Sequence, residues 1–181
     1  MKSIVVEMGA WRAGVHVGEL GFIFEERDRL LDREAATALT GRGQTAVAEI
    51  RRNASGVNPW ALVSGRFVPS RSQWFSVGVG QTGPFPERCD PISAGPLGRE
   101  LCVGLPDEFS QSVMDGLLRF DAGHRPSGRL DVVGAGFDVV DSSEAIFEVA
   151  AGLLKWALLT THLITKDSVS EFLAAHVVGS L

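Results

Sequence analysis

Apolar residues recur at two spacings along this chain of 181 residues, and the change from one to the other divides it into strand-like and helix-like stretches. Ile4-Val5-Val6 is a short β-branched run, and Gly14 to Phe24 alternates through Val15, Val17, Leu20, Phe22 and Phe24. Both predict strands, because every second side chain of a strand meets the same face. From Glu25 to Leu39 the spacing lengthens: Leu31, Ala35 and Ala38 share a stripe, charges oppose it, and Gly41 stands where a helix stops. A helix is predicted there, although a charged hairpin arm carries a similar pattern. Gly43 to Arg52 alternates again and predicts a strand. Past the turn residues Asn53 to Pro59, Trp60 to Val68 and Trp74 to Val79 predict two further strands, paired as a hairpin around Pro69-Ser70-Arg71-Ser72.

Gly80 to Gly98 holds three further glycines and four prolines, which predicts a long loop. Leu101, Val103 and Leu105 form a short apolar strand. Pro106, Asp107 and Glu108 then suit a first helical turn, with Phe109, Val113, Leu117 and Phe120 on one face. Arg129 to Val133 and Phe137 to Val140 are strand-like and joined by Gly134-Ala135-Gly136, predicted as a tight hairpin. That Gly-x-Gly returns into a strand instead of opening a helix, so it is not a dinucleotide loop. A helix from Ser142 toward Thr161 is predicted to bury Ile146, Val149, Leu153 and Trp156 or Ala157, with Gly152 admitting a close neighbour. Asp141 and Glu144 form its capping pair. Ser168 and Glu171 read as a second capping box, opening a short helix with Phe172, Leu173 and Val177.

Composition narrows the class. With 45% hydrophobic residues, 22% charged and a mean hydropathy of +0.13, the chain suits one globular domain, residues 1–181. No apolar run approaches the roughly 20 residues that span a bilayer. The start, Met1-Lys2-Ser3-Ile4, leads into a Val-rich run without a small-residue cleavage site, so the expectation is a cytoplasmic protein without a membrane partner. Cys89 and Cys102 lack both a CxxC spacing and a His pair and are expected to be two reduced thiols.

Net charge is −5 but unevenly spread. Residues 41–88 carry Arg42, Arg51, Arg52, Arg66, Arg71 and Arg88 against Glu49 and Glu87, a local +4, whereas residues 89–181 carry six basic and thirteen acidic side chains. The middle third is therefore the phosphate-facing candidate, with solvated strand faces as the plainer explanation of its arginines.

Three segments in order carry a resemblance. Gly41-Arg42-Gly43-Gln44 runs into Ala46-Val47-Ala48-Glu49-Ile50; Leu105-Pro106-Asp107-Glu108-Phe109 is followed by Val113 and Gly116; and Val140-Asp141-Ser142-Ser143-Glu144 opens the long apolar helix. Together they resemble domain IV of elongation factor G over residues 41–160, with 161–181 as a C-terminal helical extension. The resemblance implies an α+β, two-layer fold with a mostly antiparallel sheet packed on helices and a left-handed β-α-β crossover. The residue pattern by itself implies only a sheet with helices on one face. It further implies translation, with the ribosome or another structured RNA as partner. Three departures qualify it. The chain has no P-loop and no room for a GTPase domain. Counting back from Asp141, Asp138 stands where the family's tip loop has a His, in a candidate tip formed with Gly134 and Gly136. The 80–98 loop is additional to the family's pattern.

Catalytic chemistry is not indicated. His16, His124, His162 and His176 show no metal-ligand or triad spacing, and Asp131, Asp138 and Asp141 read as strand-edge charges plus a helix cap instead of a cation site. The expectation is a non-enzymatic protein without cofactor or metal, binding RNA through Arg42, Arg51, Arg52, Arg66 and Arg71. The alternative is a protein-interaction or self-associating module, such as a homodimer, that kept the fold without the RNA role.

Overall fold

The structure, a computed structural model, describes residues 2–18, 23–36, 43–53, 56–89, 91, 93–119, 125–160 and 164–177. Within them the order is β1 (Lys2–Met8), β2 (Trp11–Val17), β3 (Asp28–Ala35), β4 (Gln44–Arg52), β5 (Trp60–Pro69), β6 (Trp74–Gln81), β7 (Ser93–Ala94), β8 (Glu100–Val103), α1 (Asp107–Arg119), β9 (Gly128–Phe137), α2 (Glu144–Leu159) and α3 (Lys166–His176). The fold is α+β. Seven strands form a sheet in the order β1-β2-β4-β5-β9-β6-β3; β8 joins the far end of β9, and β7 pairs with β8. Every pairing is antiparallel except β6 with β9, which is parallel and bridged by the segment that contains α1.

The predicted β5–β6 hairpin does not form, because β9 lies between the two strands. Residues 70–73 arch over the start of β9. Ser127, fully buried, donates its hydroxyl to the carbonyls of Ser70 (2.9 Å) and Ser72, and the Ser70 amide donates to the Ser127 carbonyl (3.1 Å). Gly128 follows where a Cβ would lie 2.6 Å from both the Phe67 ring and the Val68 carbonyl oxygen, so only glycine passes beneath the arch.

The hairpin predicted at Gly134-Ala135-Gly136 is also absent: Gly128 to Phe137 is one continuous strand. Gly136 serves close packing, not a turn. A Cβ on Gly136 would stand 3.2 Å from Leu101 of β8, and the register slips at Ser64/Gly65, a β-bulge opposite Val133. The helix predicted over 25–39 is instead edge strand β3, paired with β6 over its whole length. Arg29, Leu31 and Arg33 stand on one face and Leu30, Asp32 and Glu34 on the other, an alternation that the charges obscured in the sequence. Gly41 lies outside the described residues.

Helices cover one face of the sheet: α2 packs on β4 and β5, α1 beside α2 and on β6, and α3 on β1. Phe109, Val113, Leu117, Ile146, Leu153, Ala157, Phe172, Leu173 and Val177 are buried as their periodicity requires, whereas Val149, predicted to join them, is only half-buried and Phe120 lies outside the described residues; the rings of Phe109 and Phe147 stack at 4.7 Å. Lys155 is buried among them, its ammonium 5.6 Å from the centre of the Phe75 ring. The Gln44 side-chain amide donates to the carbonyls of Ala157 (2.7 Å) and Leu158 (2.5 Å), meeting acceptors at the C-terminal end of α2.

Both predicted capping boxes shift. Ser143, not Asp141, is the N-cap of α2 and makes no side-chain cap bond; the Asp141 amide is taken by the Asp138 carboxylate at 3.1 Å. At α3 the box joins Thr165 and Ser168, because the helix starts at Lys166 and so places Ser168 in its first turn. The 80–98 segment is anchored, not free: Phe85 sits 5.8 Å from Phe109 and 5.3 Å from Phe137, ring centre to ring centre. That anchor returns Cys89 to β8, and the cysteines expected as thiols are joined as a disulfide with Cα atoms 6.0 Å apart.

The tightest helix contact is at Gly116, where a Cβ would fall onto the Glu148 carbonyl and lie 3.0 Å from Ala151. Gly116→Ala is expected to cost about 2–3 kcal/mol by forcing α1 off α2, read as a lower urea midpoint with an unchanged slope.

Candidate functional site

Strand alternation and register give the sheet an outer face, away from the helices, that gathers positive charge. Arg12, Arg29, Arg33, Arg51, Arg66 and Arg129 stand on it against Glu7, Glu49 and Asp131. The helices carry the opposite balance: Asp107, Glu108, Asp115, Glu144, Glu148, Asp167 and Glu171 against Arg119, Lys155 and Lys166.

Half of the outer face, built by β3, β6, β9 and the end of β5, is open. Asp131 lies at its centre, 4% exposed, and is not the solvated strand-edge charge expected of it. Burial there demands counter-charge. Arg29 Nη1 reaches its Oδ1 at 2.5 Å, Arg129 Nε reaches the same oxygen at 2.8 Å, and Arg66 Nε stands 3.9 Å from Oδ2. Gly78 makes room for them, since a Cβ there would be 2.6 Å from Asp131 Oδ1. Arg29 also holds Glu26, and that hydrogen bond draws the Glu26 carboxyl below its ordinary value and raises the arginine. Beside this cluster the Arg33 guanidinium lies 4.9 Å from the centre of the Trp74 ring. Leu31, Val68 and Trp74 are 67%, 51% and 43% exposed.

The other half, over β1, β2, β4 and the start of β5, is roofed by residues 93–101. Val47, Trp60, Leu62, Leu97 and Leu101 form a small second core beneath that roof. Glu49 is buried inside it. Its Oε1 accepts the Trp60 indole N–H at 2.6 Å and its Oε2 the Leu97 amide at 2.6 Å. Burial pushes the carboxyl up to about 7, although both donors and Arg12 oppose the rise. At the rim, Arg51 and Arg99 place their guanidiniums 5.2 and 4.9 Å from the centre of the Trp60 ring. Together with Pro91, Leu97, Gly98, Glu100 and Asp138 they line an open cleft of about 590 Å³.

The predicted arginines therefore do not form one patch. Arg51 belongs to the cleft and Arg66 to the open half; Arg52 points to the other side of β4, 5.2 Å from the centre of the Trp11 ring. Arg71 is exposed on the β5–β6 connection, and Arg42 lies outside the described residues. Gly134 and Gly136 are inside β9, so the expected tip is absent there. Asp138 instead caps the turn before α2, accepting from the amides of Val140 (2.9 Å) and Asp141 (3.1 Å), while Arg99 neutralises it at 2.7 Å. The sequence pattern places Arg29 and Arg33 on a helix, not on β3. Glu49 carried a signal, a lone carboxylate within the apolar alternation Ala46-Val47-Ala48-Glu49-Ile50.

His16 bonds to the Ser3 hydroxyl at 2.7 Å, and the His176 ring stacks on Phe172; His124 and His162 lie outside the described residues. Among the described residues no three His, Cys, Asp or Glu side chains gather as metal ligands, and no helix is long and apolar enough to cross a membrane. No protein-family model, no curated protein and no solved structure matches this chain.

Glu49 gives a signed expectation. Folded, it keeps its proton up to about pH 7, against an ordinary value of 4.5. The folded state thus binds more protons across that window, and stability falls as pH rises through it, by up to about 3 kcal/mol. Urea denaturation at pH 5 and pH 8 is expected to show that much less loss in Glu49→Gln than in the parent protein.

Proposed function

We propose that this protein is a non-enzymatic binding domain that presents the open half of its sheet to a structured RNA, such as ribosomal RNA, in the cytoplasm. The observation that carries this reading is the polarisation of charge: six strand arginines on the outer face, opposite helices that are acidic. Arg33, Arg66 and Arg129 stand at the surface of the open half of the sheet, near the exposed Trp74 ring. Guanidiniums supply phosphate contacts and an exposed indole supplies a stacking surface for an unpaired base. The acidic helices turn the remainder of the molecule away from a polyanion. The ordered likeness of residues 41–50, 105–116 and 140–144 to elongation factor G domain IV supports the choice of ribosomal RNA.

A second reading, a protein-binding or self-associating module, is favoured by one observation: Leu31, Val68 and Trp74 expose apolar surface on the same half.

Sedimentation with ribosomes and isolated subunits over a salt series separates the two. Neutralising Arg33, Arg66 and Arg71 to Gln leaves Arg29 and Arg129 to hold Asp131, so the fold is retained. The triple variant is expected to bind more weakly and to lower the slope of log affinity against log salt by roughly 2. An absence of binding at low salt, together with a mass by light scattering that rises with concentration, would transfer the open face to self-association.

A further inference from the structure

The roof over the closed half of the sheet is a chain segment whose two ends are the cysteines. Cys89 and Cys102 are bonded to each other, so the segment between them is closed into a covalent ring, and its residues 93–101 lie across β2, β4 and β5. Its backbone ties are few: β7 pairs with β8 at two positions, and β8 with β9 at two. Beyond these the strap holds by side chains and its tip: Leu101 is buried in the second core and Arg99 pairs with Asp138 at 2.7 Å. Leu97 plugs the second core and donates its amide to Glu49, and Gly98 closes the turn onto the Gly95 carbonyl at 2.9 Å. The seat is close: a Cβ on Gly14 would stand 2.7 Å from Pro96 Cβ. The same strap supplies Pro91, Leu97, Gly98, Arg99 and Glu100 to the Trp60 cleft.

We propose that the Cys89–Cys102 pair is a thiol–disulfide exchange site, reduced by a dithiol donor, that sets how firmly the strap is seated over Trp60 and Glu49. Cys89 is half-buried and Cys102 almost wholly buried, so an incoming thiolate meets the Cys89 sulfur. The donor sulfur bonds to Cys89 Sγ, the Cys89–Cys102 bond breaks, and Cys102 leaves as a thiolate that takes up a proton. The donor's second thiol then attacks its own sulfur in the mixed disulfide. Cys89 is released as a thiol and the donor departs as a cyclic disulfide, having given two electrons and two protons. Opening the ring restores conformational freedom to residues 93–101, while Leu97, Leu101 and the Glu49 and Arg99 bonds continue to favour the seated state. The outcome is a loosened strap, not an unfolded protein. This inference rests on the cytoplasmic location proposed above, where a disulfide cycles instead of staying permanently closed.

Hydrogen–deuterium exchange of the full chain, before and after dithiothreitol, tests it directly. Amides of residues 93–101 are expected to exchange at least roughly tenfold faster after reduction, with α1 and α2 unchanged, and Cys89→Ser is expected to reproduce the reduced pattern. The proposal is overturned if the native pair resists dithiothreitol, shown by no uptake of a thiol-alkylating reagent, or if the strap exchanges at the same rate once reduced. Neither readout involves RNA, so failure of RNA binding and failure of the switch are separately visible.

Discussion

The insertion of β9 between β5 and β6 is the constraint on which the remaining structure depends. Two strands adjacent in sequence are held apart by a third that arrives some fifty residues later, and the arch of residues 70–73 closes over Ser127 and Gly128 as it does so. The buried Ser127 hydroxyl donates to carbonyls of the arch, tying it to the start of β9. Once β9 is in place, Leu130 and Val132 complete the core under the helices, Asp131 organises the arginines outside, and the last residues of β9 offer an edge to β8. These contacts are almost all distant in sequence. The central strand is therefore the part of the fold that local propensity does least to specify.

Two carboxylates are buried on the outer face, and the contrast between them shows how position on the sheet sets chemistry. Asp131 is surrounded by guanidiniums from β3, β5 and β9 itself, so its charge is met by charge. Glu49 has only neutral N–H donors in direct contact, with Arg12 farther off and occupied by Glu7. Desolvation prevails there, and the carboxyl keeps its proton into the neutral range. One half of the face is an open, positively charged platform; the other is a closed, nearly neutral pocket under a strap.

Much of the helical layer was legible in the sequence. Phe109, Val113 and Leu117 on α1, and Ile146, Leu153 and Ala157 on α2, repeat at the helical period because one face of each helix must meet the sheet. The strands β1, β4, β5 and β6 were likewise visible as apolar or alternating runs, and β2 in part, because the strand read over Gly14 to Phe24 is Trp11–Val17 and Ile23 and Phe24 lie outside it; their partners were not visible. Glycine misled in one direction: Gly134 and Gly136 have the composition of a turn, yet both lie within β9, and Gly136 is small so that Leu101 can cross closely. Charge misled in the other: β3 alternates Arg29, Leu31 and Arg33 against Leu30, Asp32 and Glu34, and charged residues on an edge strand mimic a solvated helix.

The sequence by itself determined which segments are apolar, at what period, and that the middle third is basic, since these are properties of residues and near neighbours. Tertiary structure alone decided that Cys89 meets Cys102, that Arg29, Arg66 and Arg129 converge on Asp131, and that Glu49 lies under Leu97. Each of those pairings joins residues separated by strand order or a long loop. Strand order follows from the summed packing of the whole sheet, which no local pattern encodes.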